Sequence, residues 1–334
     1  MLRVASLACL TTAALALAGC SSDAEADAPY TRAGEIRASE VWRDGLVLTG
    51  SVTIYPGAEV EIAPGATITC AEGASILVGG VLRAKAAAAR ARIACGSWLG
   101  VLVAQGGRLD LEGLEIENAK AGITTTEGAG ESRFVDGAVL RTLKPFVVGA
   151  KSKLTVSNAK VTTPEKVGDA EISLTEIFGA LVASRLDYDA GANEGIMVKA
   201  GGELDLEDSH VHGTNGLDMV SAYEAKRLRV AYSILSGSHC GAHIQGIESF
   251  ELDHVTSEKN TYGMTIYGSG AGPNVVRDSN LEGAAAWLDF QGQNGPVTFE
   301  NVHTEGGEII DTRQSAPPTI SGKAQAPIPN AKPR

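Results

Sequence analysis

Short apolar runs separated by turn residues follow one another from Gly195 to Glu305, and these runs recur in rows. Within a row, two or three runs alternate apolar and polar residues, as in Leu204–Leu206. Alternation with a period of two indicates strands, and self-similarity at a period of 20 to 50 residues indicates a repeat architecture. Rows open at Gly195, Gly216, Gly241 and Gly263. The pattern therefore predicts an all-β chain in which each row is one turn of a solenoid.

The same pattern extends toward the N-terminus. Two Pro-Gly turns separate three alternating strands between Val47 and Ile68. The segment 34–44 is expected to cap the first row, because an uncovered edge recruits other chains. Residues 84–92 are rich in alanine, and the sequence leaves open whether they form a helical turn or a protruding loop. We predict a solenoid with its cap over residues 36–311 and a proline-rich, disordered tail over residues 312–334.

The first 19 residues have the pattern of a secretory leader. Arg3 is followed by an apolar segment, residues 4–18, which is too short to span a bilayer. The segment Leu17–Cys20 closes it and resembles the bacterial lipobox, which implies that Cys20 becomes a lipid-modified N-terminus. Residues 20–35 are small and polar and are predicted to form a flexible tether. The resemblance implies a lipoprotein anchored in the bacterial cell envelope, with Ser21 favouring the outer membrane and either membrane face left open.

The composition narrows the range of partners. The formal net charge is −12, which argues against nucleic acid and against binding to anionic surfaces through bulk charge. An acidic polysaccharide would require a local basic groove or bound Ca²⁺. Aromatic residues are only 5% of the chain, as expected for a narrow aliphatic core.

Two cysteines in successive rows are expected to pair. Cys70 and Cys95 each end a short strand, one row apart. Stacked strands are about 4.8 Å apart, which is within the range of Cα distances that a disulfide tolerates. Export makes oxidation available, so we predict a Cys70–Cys95 disulfide. Cys240 is left single and is expected to be a small buried residue.

Row length and two motifs resemble a known fold family. One row starts Trp98–Val103 with the pattern Trp-x-Gly-Val-x-Val, and a polar column comprises Asn158, Asp208, Asp278 and Asn301, interrupted by Tyr232 and His254. These features resemble the single-stranded right-handed parallel β-helix of the pectin-lyase-like superfamily, over about residues 46–311. The resemblance implies about ten to eleven turns, in which the polar column hydrogen-bonds the turn backbone at one corner. A left-handed β-helix and a β-propeller have repeat lengths that do not fit.

The resemblance implies that a sugar-directed site lies on an outward strand face. Counted from the row-opening glycines, Met197, Asp218, His243 and Thr265 share one such column. Asp218 is then expected to contact His243 and to orient it as a base, so these two are the candidate catalytic residues. The candidate ligand-binding residues, which precede the same strands, are Asn193, Asn215, His239 and Tyr262. A solvated, hydrogen-bonded outer face is the alternative interpretation.

Known catalytic templates of the superfamily fit poorly. The segment Thr214–Asp218 weakly resembles one polygalacturonase motif, but Ser238 and His239 stand where its acid pair is required. A pectate-lyase site would have to combine Asp187, Asp189, Asp218 and Arg185 with Ca²⁺, so calcium is expected only if the protein is a lyase. No metal site is predicted from His239, Cys240 and His243, because adjacent strand residues point in opposite directions.

Two functions follow from these observations. The first is an envelope scaffold that binds a glycan or a protein along one strand face. The second is a polysaccharide-active enzyme of the lyase or epimerase type, using Asp218 and His243. An enzyme needs several titratable groups that converge in a cleft. The sequence supplies only one such pair, Asp218 and His243, which favours the scaffold hypothesis. Whether the protein is an enzyme stays open, and no cofactor is predicted apart from the Ca²⁺ that a lyase would need.

Overall fold

The chain forms one parallel β-solenoid. The computed structural model describes residues 30–85, 88–165, 174–214, 216–283, 286–288, 295–305, 308–311 and 319–334. Strands stack in about 11 turns, which confirms the predicted all-β fold. The described part of the chain has no helix with the length and apolarity that a bilayer crossing requires. Residues 1–29, which include the predicted leader and Cys20, lie outside the described residues.

The strand boundaries follow the rows. The strands are β1 (Thr31–Ile36), β2 (Glu40–Trp42), β3 (Val47–Ile54), β4 (Glu59–Ile62), β5 (Thr67–Cys70), β6 (Ser75–Val78), β7 (Val81–Ala84), β8 (Ala91–Val103), β9 (Arg108–Glu112), β10 (Leu114–Thr125), β11 (Ser132–Val135), β12 (Ala138–Leu140), β13 (Lys144–Val148), β14 (Lys153–Thr162), β15 (Thr175–Ile177), β16 (Ala180–Asp189), β17 (Ile196–Val198), β18 (Glu203–Glu207), β19 (His210–His212), β20 (Val220–Tyr223), β21 (Arg227–Ala231), β22 (Ile234–Ser236), β23 (Cys240–Gln245), β24 (Ser249–Asp253), β25 (Thr256–Glu258), β26 (Tyr262–Ile266), β27 (Asn274–Arg277), β28 (Asn280–Glu282), β29 (Ala286–Leu288), β30 (Thr298–Glu305), β31 (Ile309–Asp311) and β32 (Thr319–Lys323).

Each turn contributes strands to three parallel ladders. Ladder A, which carries the candidate site, includes β15, β17, β20, β23, β26 and β29. Ladder B includes β16, β18, β21, β24, β27 and β30. Ladder C includes the end of β16, then β19, β22, β25 and β28. Residues one turn apart therefore become direct neighbours on the surface.

Alternate residues of the strands fill a continuous aliphatic core. In β18, Leu204 and Leu206 are fully buried while the acidic residues between and beside them face outward. Phe134 and Phe146 pack edge to face with ring centroids 6.2 Å apart. Apolar burial of this kind contributes about 25 cal/mol for each Å² removed from water. The core therefore supplies the main stabilisation and holds the outer faces rigid.

The predicted disulfide is confirmed. Cys70 and Cys95 are bonded across adjacent turns, with Cα atoms 5.2 Å apart. Cys240 is a free and buried cysteine, as expected.

The predicted polar column marks the corner between ladders B and C. Its residues have left-handed φ angles, such as 50° at Asn158, 52° at Asp208 and 50° at Asn301. Asparagine and aspartate tolerate this region better than other residues with side chains, which explains the column. The hydrogen bonding differs from the prediction, because Asn301 donates to the Asp278 carboxylate at 2.6 Å and not to the turn backbone. The interrupting Tyr232 and His254 stack with ring centroids 4.6 Å apart.

Three boundary predictions need correction. The last part of the segment predicted as a flexible tether is structured, because it contains most of β1, which pairs with β3. The predicted cap at residues 34–44 contains the end of β1 and all of β2, and both strands belong to the ladders themselves. Within residues 84–92, β7 ends at Ala84 and β8 begins at Ala91, so the described part is a short connection without a helical turn.

The predicted disordered tail is wrong for residues 319–334. The strand β32 pairs with β30, because the stretch Thr319–Lys323 contains no proline and extends the ladder. Beyond it, the chain folds back along the solenoid. The backbone of Ile328 hydrogen-bonds to both side-chain ends of Asn280, and the Arg334 guanidinium lies 4.2 Å from the Tyr232 ring centroid. Proline stops a ladder but does not prevent docking of an extended chain by side-chain bonds.

Candidate outer-face site

Ladder A brings the candidate residues together, with one change of register. Met197 pairs with Ser221, Ser221 with His243, and His243 with Thr265. Ser221 therefore occupies the column position that the sequence count gave to Asp218. The count was wrong by three residues because Gly216, taken as a row start, lies before the strand in a turn with a φ of 98°.

Asp218 nevertheless reaches His243 from that turn. Its Oδ2 lies 3.1 Å from Nδ1 of His243, and the two side chains are only 13% and 17% exposed. The turn is held by the Asp218 carbonyl, which accepts from Gly195 N at 3.0 Å. Gly195 is required here, because a Cβ would lie 2.1 Å from the Met219 carbonyl oxygen. The predicted contact is confirmed, and the proposed catalytic roles of Asp218 and His243 remain predictions.

Glu194 completes the site, and the sequence analysis did not single it out. It is 8% exposed, and its Oε1 accepts a hydrogen bond from the buried Ser221 hydroxyl at 3.2 Å. Burial raises the pKa of Glu194 from 4.5 to about 7, and the negative charge of Asp218 adds to the effect. Glu194 immediately precedes the row-opening Gly195, so a search of residues flanking the strands would have found it. We refer to Glu194, Asp218 and His243 as the outer-face site.

Two tyrosines enclose the imidazole of His243. The ring centroids of Tyr223 and Tyr267 lie 5.3 and 5.1 Å from that of His243, on the preceding and following turns. Burial, followed by the charge of Asp218, raises the pKa of Tyr223 to about 12. The solenoid stacking therefore brings both tyrosines to the site.

The same tyrosines form one wall of an open groove. The groove has a volume of about 470 Å³ and also includes Gln245, Glu224, Glu248 and the turn at residues 268–270. We call it the tyrosine groove. Nε2 of His243 is closed to solvent and has no hydrogen-bond partner among the described residues. Buried polar atoms are nearly always satisfied, so an unpartnered nitrogen at this position is unusual.

Cys240 contributes to the floor of the site. Its sulfur accepts from the Thr265 hydroxyl at 3.5 Å, and burial raises the pKa of its thiol to about 12. A protonated, buried thiol is a poor nucleophile and a poor metal ligand. Cys240 therefore has a packing role beside the outer-face site.

The four predicted ligand-binding residues have different positions. Asn193 is fully buried, and its amide donates to the carbonyls of Ala190, Gly191 and Pro164, so it holds the turn before β17 and is not a ligand contact. His239 is exposed, and its ring packs edge to face against Tyr262 at 5.2 Å, next to the outer-face site. Asn215 lies outside the described residues.

The site is acidic. Among the described residues, no lysine or arginine forms an ion pair with Glu194 or Asp218, and Lys199 acts on Glu194 only from a distance. The nearby groove adds Glu224 and Glu248. This local charge disfavours anionic ligands, in agreement with the inference from net charge.

Three sets of side chains have potential ligand atoms within 4.8 Å of one another: Asp218, Cys240 and His243; Asp253, His254 and Asp278; and Asp187, His210 and His212. In the first set the thiol is held protonated by burial. In the second, Arg277 pairs with Asp253 at 3.1 Å and Asn301 donates to Asp278. In the third set, Asp187 pairs with His212 at 3.2 Å, and no described lysine or arginine forms an ion pair with it.

Comparison with known proteins adds no evidence on the function of this chain. Three solved structures of the catalytic domain of a GH87 alpha-1,3-glucanase in complex with nigerose, two of them of single-residue variants, align with 12% identity and a TM-score of 0.35. The alignment covers 87% of this chain and 62% of theirs. At these values the likeness carries no argument, and the class of β-solenoid rests on strand pairing alone. No protein-family model and no curated protein matches the chain.

Proposed function

We propose that this protein is a polysaccharide-active enzyme that hydrolyses a neutral glycan at the outer-face site. The observation that carries the proposal is the convergence of Glu194, Asp218 and His243 beside the tyrosine groove. Several titratable groups that meet at a cleft meet the criterion for a reactive site, whereas a purely adhesive surface has no need of a buried acid. Glycan binding in the groove is common to the enzyme and to the scaffold hypothesis.

The two carboxyl groups suit the two halves of a hydrolytic step. Because its pKa is raised to about 7, Glu194 keeps a proton at mildly acidic pH and serves as the general acid. It donates this proton to the glycosidic oxygen as the bond to the anomeric carbon breaks. Asp218, positioned by His243, takes a proton from the attacking water, whose oxygen forms the new bond to that carbon. Solvent then restores both protonation states.

The groove suits a neutral sugar chain. Tyr223 and Tyr267 offer aromatic faces against which sugar rings pack, and Gln245 between them offers amide hydrogen bonds. The acids Glu224 and Glu248 repel uronates. A lyase or epimerase requires such an acidic sugar, so hydrolysis fits the charge better than the lyase hypothesis.

We also infer that the enzyme acts in the bacterial cell envelope. The inference rests on the lipobox-like segment Leu17–Cys20 and the apolar leader before it. Lipid on Cys20 would hold the solenoid at the membrane through the residues before β1. Labelling with a fatty-acid analogue, lost in Cys20→Ala, tests this anchor.

Activity assays separate the candidate functions. The wild type is incubated with neutral glucans, mannans, xylans and galactans and with uronate polymers, and reducing ends and unsaturated products are measured. Hydrolysis should fall about 10²- to 10⁴-fold in Glu194→Gln and Asp218→Asn, the usual contribution of a positioned acid or base. The exposed Glu72→Gln, remote from the site, is the matched control.

Each other result identifies a different function. Unsaturated product from a uronate polymer would contradict hydrolysis and indicate a lyase. Binding without product, weakened in Tyr267→Ala but unchanged in Glu194→Gln, would contradict an enzyme and support the scaffold. Hydrolysis that survives both carboxyl substitutions would place the reaction elsewhere.

A further inference from the structure

A second group of ligand-type side chains lies on ladder C, away from the outer-face site. His210 and His212 flank the buried Val211 in β19, so both imidazoles face outward. Asp187, in β16, is the register partner of His210 on the preceding turn. Residues at alternate positions of a strand share a face, and the solenoid adds the carboxylate beside them. None of these three residues takes part in the proposed hydrolysis.

The three side chains converge. The two imidazole centroids are 4.4 Å apart, and Nε2 of His212 lies 3.2 Å from Oδ1 of Asp187. Two ligand atoms bound to one tetrahedral zinc ion, each at about 2.0–2.1 Å, are about 3.3 Å apart. Potential ligand atoms of all three residues lie within 4.8 Å of one another. Small side-chain rotations therefore suffice to place them around one ion.

The surroundings orient the group and leave it accessible. The Ser236 hydroxyl, on the following turn, lies 2.9 Å from Nε2 of His210. Hydrogen bonds of this type fix the orientation of metal-binding imidazoles. The side chain of His212 is 30% exposed and that of Asp187 is 57% exposed, so an ion can enter from solvent.

We propose that Asp187, His210 and His212 bind one divalent transition-metal ion of the zinc class. Two imidazoles and one carboxylate are the ligand types that such ions prefer, and Mg²⁺ and Ca²⁺ prefer oxygen ligands. The remaining coordination positions are open to solvent and would be filled by water. Because the ligands come from two turns, the ion links β16 to β19 and stabilises the solenoid by an amount that rises with the free-ion concentration.

Calorimetric titration of the untagged full chain with Zn²⁺ tests the proposal, with Mg²⁺ as the ion control. One equivalent of Zn²⁺ should bind. Its affinity should fall in His212→Ala and in His210→Ala by at least the ~10- to 100-fold that loss of a ligand's hydrogen-bond partner costs. Asp187→Asn should weaken binding to a smaller extent, because the amide oxygen is an uncharged ligand. His243→Ala and His254→Ala, which alter the two other candidate sets, should bind as the wild type does.

Melting temperatures distinguish a lost metal site from a misfolded variant. Zn²⁺ should raise the melting temperature of the wild type and of His254→Ala, and should leave that of His212→Ala unchanged while its far-ultraviolet circular dichroism stays native. Absence of one-equivalent Zn²⁺ binding, or loss of binding in His243→Ala or His254→Ala instead, overturns the proposal. Neither measurement depends on activity at the outer-face site. Each therefore tests the metal site independently of the proposed function.

Discussion

Replacing Glu194 by glutamine should stabilise the protein at alkaline pH and not at acidic pH. Glutamine has nearly the same shape and can still accept the hydrogen bond from Ser221, so the change removes chiefly the ability to ionise. The pKa of Glu194 is raised from 4.5 to about 7. Since one pKa unit corresponds to about 1.4 kcal/mol, ionising this buried group in the folded protein costs about 3 kcal/mol.

Whether stability rises or falls with pH depends on which state, folded or unfolded, holds the Glu194 proton more tightly. Below pH 4.5 both the folded and the unfolded chain are protonated at this residue, so the favourable contribution of the neutral acid is fully present. As pH rises toward 7, the unfolded chain releases its proton while the folded chain retains it, and the free energy of unfolding falls. Above pH 7 both states are ionised and the loss is complete. The glutamine variant does not undergo this loss.

Urea denaturation at about pH 4 and about pH 9 measures the effect. The difference in unfolding free energy between Glu194→Gln and wild type should increase by about 3 kcal/mol from the acidic to the alkaline condition. Other titrating groups cancel in this difference, and Glu72→Gln, an exposed substitution, should show no such increase. In an Asp218→Asn background the increase should become smaller but persist, because burial is the larger cause of the shift. A difference that stays the same at both pH values would refute the account of Glu194 as a buried, uncompensated acid.

Two further predictions concern the ends of the solenoid. Reduction of the Cys70–Cys95 disulfide, or Cys70→Ser with Cys95→Ser, should destabilise the protein by about 3 kcal/mol, because the bond closes a loop with a sequence separation of 25; an unchanged urea midpoint after reduction would contradict this. Asn280→Ala should accelerate tryptic cleavage after Lys323 about tenfold, since it removes the two side-chain bonds to Ile328. The matched control Asn330→Ala, at an exposed position, should leave the cleavage rate unchanged.

Much of the fold could be predicted from local sequence, because each turn of the solenoid repeats the same pattern of buried, exposed and corner positions. Leu204 and Leu206 alternate with acids, and this alternation alone assigns one face of β18 to the core. Asn158 and Asp208 recur where the chain must adopt a left-handed φ, so the corner is visible as a column in the sequence. The spacing of Cys70 and Cys95 by one row was enough to predict their disulfide.

The site was harder to predict because it depends on register and on irregular turns. Gly216 resembles the other row-opening glycines but lies in a turn, so counting from it moved Asp218 into a strand position that Ser221 occupies. Aligning the apolar pair Ile196 and Val198 with Val220 and Ala222 gives the correct register. The docked tail was missed for another reason: its bonds join residues 48 to 127 positions apart, and no local pattern reports such contacts.

The packing around Glu194 is consistent with the proposed role of its carboxyl group as a general acid. Asn193 is fixed by three backbone carbonyls, and Gly195 allows β17 to lie tightly against the next turn, so the chain on both sides of Glu194 is immobilised. The carboxyl group is therefore held in its mostly buried position, although ionising it there costs about 3 kcal/mol more than ionising an exposed glutamate. An isosteric glutamine would avoid that cost while retaining the bond from Ser221. A buried acid that lowers stability, next to a second carboxylate, is the combination that the proposed hydrolysis requires, because activity commonly depends on groups that cost stability.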